Sequence, residues 1–311
     1  MNMEKKSKLS LISFVPYIGL ILLILISVLT KGATFTAARN LRNIMIQASI
    51  LMVLSAGTTF VMAHGDMDFA NGGTMGITMV VALALCNEAP AWMIFPICVI
   101  TGTAIGYVVG ILASRLHVVA FIVGMCIMRL SAALLYTITL KNTYMAPIAI
   151  ISLSKPSFFI LASFGTLILA GIVFELTKIG QYNKLIGVNK EAASLSGICT
   201  WKYLLYSFMA SGLCSGIAAF MTAVRIGGLS NSTGSYEVDV LIALTIGGMP
   251  LTGGSKASIS AALIGAYSLT ILNNILILWG VNADFVNVVK GLVFLVLVLI
   301  STRGNKGTIN I

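Results

Sequence analysis

Apolar runs recur along the whole chain from Leu11 to Ile300, separated by short polar or glycine-rich breaks. A helix needs about 20 residues to cross ~30 Å of hydrocarbon at 1.5 Å per residue. Divided at the breaks, the pattern predicts spans near 11–30, 42–63, 73–86, 91–112, 117–138, 157–177, 203–223, 238–249, 258–278 and 284–301. The third and eighth are short and border glycine-rich breaks. The expected fold is therefore all-α, a polytopic transmembrane helical bundle of about ten spans. It reads as a single transmembrane domain over 1–311, with a polar loop at 178–200 and no room for a sizeable soluble domain.

Composition supports this reading. Hydrophobic residues make up 58% of the 311-residue chain and charged residues 9%, with a mean hydropathy of +1.03. A soluble domain carries roughly 25% charge. The formal charge of +10 does not point to nucleic acid, because the basic residues are dispersed between spans. With the N-terminus inside, ten crossings return the C-terminus to the cytoplasm. Inside segments then hold Lys5, Lys6, Lys8, Arg115, Lys178, Lys184, Lys190, Lys202, Lys256, Arg303 and Lys306, against Lys31, Arg39, Arg42, Lys141, Lys155 and Arg225 outside. That excess has the direction the positive-inside rule requires. The run Leu9–Thr30 is longer than a signal-peptide core and lacks a cleavage site, so a retained first span is expected. Cys86, Cys98, Cys126, Cys199 and Cys214 are scattered and odd in number, and read as small buried hydrophobes rather than disulfides or metal ligands.

The loop 178–200 is the longest polar stretch on the expected inner face. Asn189 can cap a short helix there, with Glu191 in its first turn favoured by the helix dipole. Ala192, Ala193, Leu195 and Ile198 give it a small apolar surface, and Gly197 marks a bend or close contact. Such a helix has no obvious core to join and is placed to dock on a partner. A faint echo links Asn71-Gly72-Gly73-Thr74 to Leu251-Thr252-Gly253-Gly254-Ser255. Both would open short spans from the inner side, which suits a parallel repeat as well as chance recurrence.

Few residues could carry chemistry. His64, Asp66 and Asp68 offer three metal ligands without a fourth at useful spacing. They also suit a proton relay, or simply a polar turn between the second and third spans, with Gly65, Gly72 and Gly73 allowing tight backbone packing. Arg129 falls in the middle of the fifth span, where a charge costs about 2.5–3.5 kcal/mol and must face the bundle interior or water. Lys290 lies near the outer end of the last span, where snorkelling is the default explanation. Asn273 and Asn274 suit either interhelical hydrogen bonds or a polar lining for a sugar-like solute. Gly102, Gly106 and Gly110, four residues apart, suit close helix packing. No catalytic triad, Walker sequence, zinc motif or dinucleotide fingerprint is present, and neither a cofactor nor a metal is called for.

Several segments resemble the permease subunits of ribose, xylose, galactose and autoinducer-2 ABC importers. Gly57-Thr58-Thr59-Phe60-Val61 running to Gly65-Asp66-Met67-Asp68-Phe69 is similar to one family stretch, with Ala70 where a serine is usual. The stretch Gly187–Ile198, containing Asn189-Lys190-Glu191-Ala192-Ala193, resembles another. The fullest match is Tyr236-Glu237-Val238-Asp239, then Gly247-Gly248-Met249-Pro250-Leu251-Thr252-Gly253-Gly254, Leu263-Ile264-Gly265-Ala266 and Leu272-Asn273-Asn274. The resemblance covers roughly residues 35–303.

This resemblance implies a bacterial cytoplasmic-membrane permease that does no chemistry itself. It implies as partners a cytoplasmic ATP-binding subunit, an extracytoplasmic solute-binding protein and a second permease subunit, identical or sister. Glu191, Ala192, Ala193 and Gly197 would belong to the helix that couples to the ATPase. Asp66, Asp68, Asn71, Arg129, Asn273 and Asn274 are the candidate pathway or interior polar residues. The expected solute is a monosaccharide or similar small polar molecule. The competing class is an ion-coupled secondary transporter using Asp66, Asp68 or Arg129.

Overall fold

The computed structural model describes residues 3–85, 90–141, 144–229 and 236–305. Thirteen α-helices lie among these residues: α1 (Met3–Phe35), α2 (Ala38–Ala63), α3 (Asn71–Leu85), α4 (Ile94–Ser114), α5 (Ala120–Lys141), α6 (Ile148–Ile151), α7 (Pro156–Leu176), α8 (Lys178–Val188), α9 (Lys190–Leu195), α10 (Thr200–Ile226), α11 (Tyr236–Ile246), α12 (Ser260–Leu278) and α13 (Ala283–Asn305). A helix pairs all its backbone groups internally, so uniformly apolar runs can remain helical without water. Each of the ten expected segments falls on one of these helices, with ends that differ by up to eight residues. Seven of the helices are long and apolar enough to cross a membrane.

Position in the bundle follows side-chain character. Every residue of α2 from Ala48 to Ala63 is buried, as befits a helix apolar all round. It lies against α10, which is buried along most of its length. α1 sits at the periphery and exposes Ile21, Leu22, Leu25 and Leu29, a surface suited to lipid. The 178–200 segment, expected as a loop with one short helix, is two helices. Thr177 caps α8 through Ile179 N–H at 3.3 Å, and Asn189 ends α8 and begins α9. The cysteines divide. Cys98 and Cys214 are buried as expected, Cys199 is half-buried and Cys126 is exposed, while Cys86 lies outside the described residues.

Glycine contacts fix how the helices run. Gly102, Gly106 and Gly110 of α4 meet Gly212, Phe208 and Leu205 of α10 in descending order, so these helices are antiparallel. The Cβ of any other residue at Gly106 would strike the Phe208 carbonyl oxygen and the Gly212 backbone. Gly106→Leu is expected to cost about 1–3 kcal/mol or to prevent assembly, read as a lower melting temperature and a smaller monodisperse fraction in detergent.

The chain contains two units of opposite direction. In the first, long α2 ends, the segment 64–70 turns back, and short α3 leads to α4 and α5. In the second, long α10 ends and short α11 leads to α12 and α13. α3 runs parallel to α10, since Asn71 meets Ser211 and Met75 meets Thr222. α11 runs antiparallel to α12, since Gly247 meets Ala261 and Gly265 meets Ala243. The two units are thus inverted, the arrangement of many transporter repeats. Of the two readings that the glycine segments left open, this excludes the parallel repeat. Gly72 abuts Glu237 deep in the bundle, whereas Gly253 abuts the last turn of α2 at the α9 end. The two segments differ in depth, and α3 corresponds instead to α11.

Candidate functional site

Two places gather the polar residues. The first is the bundle interior where the two short helices begin. Ser211 lies eleven residues into α10, about 17 Å from its start at helical rise. Its hydroxyl donates to Asp68 Oδ2 at 2.5 Å and lies 3.1 Å from Asn71 Oδ1. Asp68 Oδ1 accepts the Ala70 N–H at 2.8 Å, which caps the entry to α3. Asn71 Nδ2 reaches Thr58 Oγ1 at 2.9 Å and the Asp68 carbonyl at 3.1 Å. Asp68 is 3% exposed, and Asn71, Thr58 and Ser211 are equally enclosed.

The Glu237 side chain, in the first turn of α11, lies against the first turn of α3, where a Cβ at Gly72 would stand 2.5 Å from its Oε1. One side chain therefore brings the N-terminal ends of α3 and α11 together. Glu237, Ser211 and Thr58 did not stand out in the sequence as site residues. Glu237 was visible only as part of a matching motif, and its neighbour Gly72 is far away along the chain.

His64, Asp66 and Asp68 do not act as one group. Asp68 turns into the bundle, whereas Asp66 remains at the α9 end, 3.3 Å from His64 Nδ1 and partly exposed. Burial alone would raise the Asp66 carboxyl pKa. The His64 hydrogen bond, with the charges of His64 and Lys190, holds it below the ordinary value. Among the described residues no cluster of three or more His, Cys, Asp or Glu side chains could hold a metal ion.

The remaining interior candidates separate too. Asn274 and Asn40 exchange reciprocal amide hydrogen bonds of 2.8 and 3.0 Å, clipping α12 to α2. Asn273 is half-buried, and its Oδ1 is enclosed without a hydrogen-bond partner among the described residues. Arg129 is exposed on α5. Lys290 does not snorkel as expected. It is 8% exposed, and its ammonium pairs with Asp239 Oδ1 of α11 at 2.7 Å. Sequence spacing could not show this, because the partner lies on another helix.

The second place is the exposed end formed by α8 and α9. Asn189 Oδ1 accepts the Ala192 N–H at 2.9 Å, the cap expected from the sequence. Ala193 faces inward against Ile186 and Leu204. Glu191 and Ala192 face outward, and Leu195 is 90% exposed. Gly197 closes the helix at φ +82°, with open space where a Cβ would stand. Beneath α9 three backbones meet. Gly187 abuts Ala63 and Gly254, and the Gly254 N–H donates to the Ala63 carbonyl at 2.9 Å. The positive φ of Gly253 and Gly254 makes that close turn possible. The 247–254 motif thus seats α8 and α9 on the end of α2.

Residues 40–298 match the family of branched-chain amino acid transport system permease components. The chain belongs to this permease family. It is 31% identical to the ribose import permease protein of Haemophilus influenzae, over 91% of both chains. It is 26% identical to the galactose/methyl galactoside import permease protein of Escherichia coli K12, over 94% of this chain and 95% of that one. With the autoinducer 2 import system permease protein of Yersinia enterocolitica it shares 30% identity over 81% of this chain and 72% of the relative. No solved structure matches it. The permease is a transport subunit and not itself an ATPase, and it resides in the bacterial cytoplasmic membrane as a multi-pass protein.

Proposed function

We propose that the permease forms, with a second permease subunit, the translocation pathway of an ATP-binding cassette importer for a monosaccharide or similar small polar solute. The relatives named for ribose and galactose match over nine-tenths of the chain, and this favours a sugar over the amino acids in the family's description. The observation that carries the coupling mechanism is α9. Its inward Ala193 anchors it, while Glu191, Ala192 and Leu195 point away from the bundle. A fully exposed leucine beside a carboxylate on a short, capped helix suits a groove on a partner. That partner is the cytoplasmic ATP-binding subunit, with Gly197 shaping the exit from the docking helix.

In this reading α1–α5, α7 and α10–α13 make ten crossings as a single permease domain over 1–311, and both termini are cytoplasmic. α8 and α9 then lie at the same face as the ends of α2 and α4. An extracytoplasmic binding protein delivers solute at the opposite face. Arg129 marks the pathway wall. On α5 it shares one exposed face with Ile122, Cys126, Ala133, Tyr136 and Thr137, at spacings that bring residues onto one side of a helix. An arginine facing lipid at that depth costs about 2.5–3.5 kcal/mol, so this face borders the water-filled route between two permease subunits. The hub of Asp68, Asn71 and Glu237 sits behind that wall and holds the two short helices in register.

Uptake of labelled ribose into proteoliposomes holding the permease, its ATP-binding subunit and the binding protein tests this reading. Uptake should require ATP hydrolysis and survive an uncoupler. Uptake driven by an ion gradient without ATP would instead assign Asp66, Asp68 or Arg129 to ion coupling.

A further inference from the structure

We propose that the crevice between α4 and α10 at the α9 end binds an anionic phospholipid, with the headgroup phosphate in a basic pocket and an acyl chain in the apolar groove beside it. The pocket, of about 300 Å³, is lined by Ser114, Arg115 and His117 from the end of α4, Lys190 from α9, and Trp201 from the start of α10. The Arg115 guanidinium lies 4.4 Å over the Trp201 ring, and the Lys202 ammonium approaches the same ring at 5.7 Å. Asp66 offsets part of the Lys190 charge from outside the pocket, so Arg115 is the principal cation. The first turn of α10 opens here as well, and helix N-termini present unpaired N–H groups to anions.

A second cavity of about 390 Å³ opens further along α4, lined by Ile100, Ala104 and Tyr107 of α4 and Met209 of α10. Residues 100, 104, 107 and 114 follow one face of α4, and about 21 Å of helix separates the first from the last. That length accommodates a headgroup and one leaflet of ~15 Å, half the hydrocarbon thickness. Basic pockets between helices on the cytoplasmic side are places where acidic headgroups bind, and tryptophan favours this depth. Free phosphate fills only the first cavity. A diacyl lipid fills both.

Trp201 provides the readout. In a Trp92→Phe/Trp279→Phe background it is the remaining tryptophan of three. The full-length protein in detergent is titrated with phosphatidylglycerol or phosphatidylcholine carrying brominated acyl chains, which quench nearby indole. Phosphatidylglycerol should quench at about tenfold lower concentration, since each basic contact contributes on the order of a fewfold in affinity. Arg115→Gln should remove that preference. Ala104→Phe, at an exposed position that tolerates bulk, should weaken quenching by both lipids while leaving the preference in place. Equal quenching by the two headgroups, or a preference that survives Arg115→Gln, overturns the proposal. Competition by inorganic phosphate at comparable concentration assigns the pocket to a soluble anion and rejects the lipid. Quenching unaffected by Ala104→Phe rejects the acyl groove. If the preference is absent and Arg115→Gln instead lowers retention of the ATP-binding subunit, the pocket is a protein contact and the lipid assignment fails.

Discussion

Charge reversal at Glu191, or replacement of Leu195 by aspartate, is expected to abolish solute uptake while leaving the permease folded in the membrane. Both side chains point away from the bundle, so nothing in the permease core is disturbed. Seating Leu195 in a partner groove would remove most of its apolar surface from water. A central anchor of this kind contributes about 2 kcal/mol or more to an interface, so its loss weakens partner affinity roughly 30-fold. Co-purification of the ATP-binding subunit should fall in parallel with transport, and monodispersity of the permease alone should not change. Gly197→Leu should act more weakly. Its φ of +82° is strained for any residue with a Cβ, although open space surrounds it. Normal transport by Glu191→Lys and Leu195→Asp would remove α9 from the coupling interface.

The second large effect concerns Asp239 and Lys290. Their 2.7 Å pair is largely enclosed between α11 and α13. Removing one partner of a buried ion pair strands the other and typically costs 3–5 kcal/mol, whereas replacing both by apolar residues is often neutral or stabilising. Asp239→Ala should therefore lower the melting temperature in detergent sharply, and Lys290→Met should do likewise. The double variant Asp239→Val/Lys290→Met should recover most of the loss. If Asp239→Ala unfolded at the parent temperature, the pair would contribute nothing to holding α11 and α13 together. Recovery of stability without recovery of transport would give the pair a functional role besides its structural one.

The Lys290 pairing also illustrates which parts of this protein its sequence reveals. An apolar run of sufficient length forms a helix wherever it sits, because the backbone must satisfy itself in the absence of water. The helix positions were therefore readable from the pattern alone. So was the cap at Asn189, which involves residues three apart. Lys290 was misread because its environment depends on a helix about fifty residues earlier. Ala193 was grouped with Glu191, Ala192 and Gly197 by motif. Only packing against Ile186 and Leu204 shows that it anchors α9 while its neighbours remain free.

By itself, the sequence determined a multi-pass helical bundle, the two shortened helices, the capped polar helix at 190–195 and the resemblance to sugar importer permeases. Hydrophobicity, helix length and capping are local properties, and linked motifs keep their order in any fold. Only the tertiary structure decided that α3 and α11 belong to inverted units, that their first turns meet at Glu237, and that Asp68 turns inward while Asp66 stays outside. Those outcomes depend on which backbones approach closely. Glycine contacts and buried hydrogen bonds between residues more than a hundred positions apart set that approach, and no local pattern encodes it.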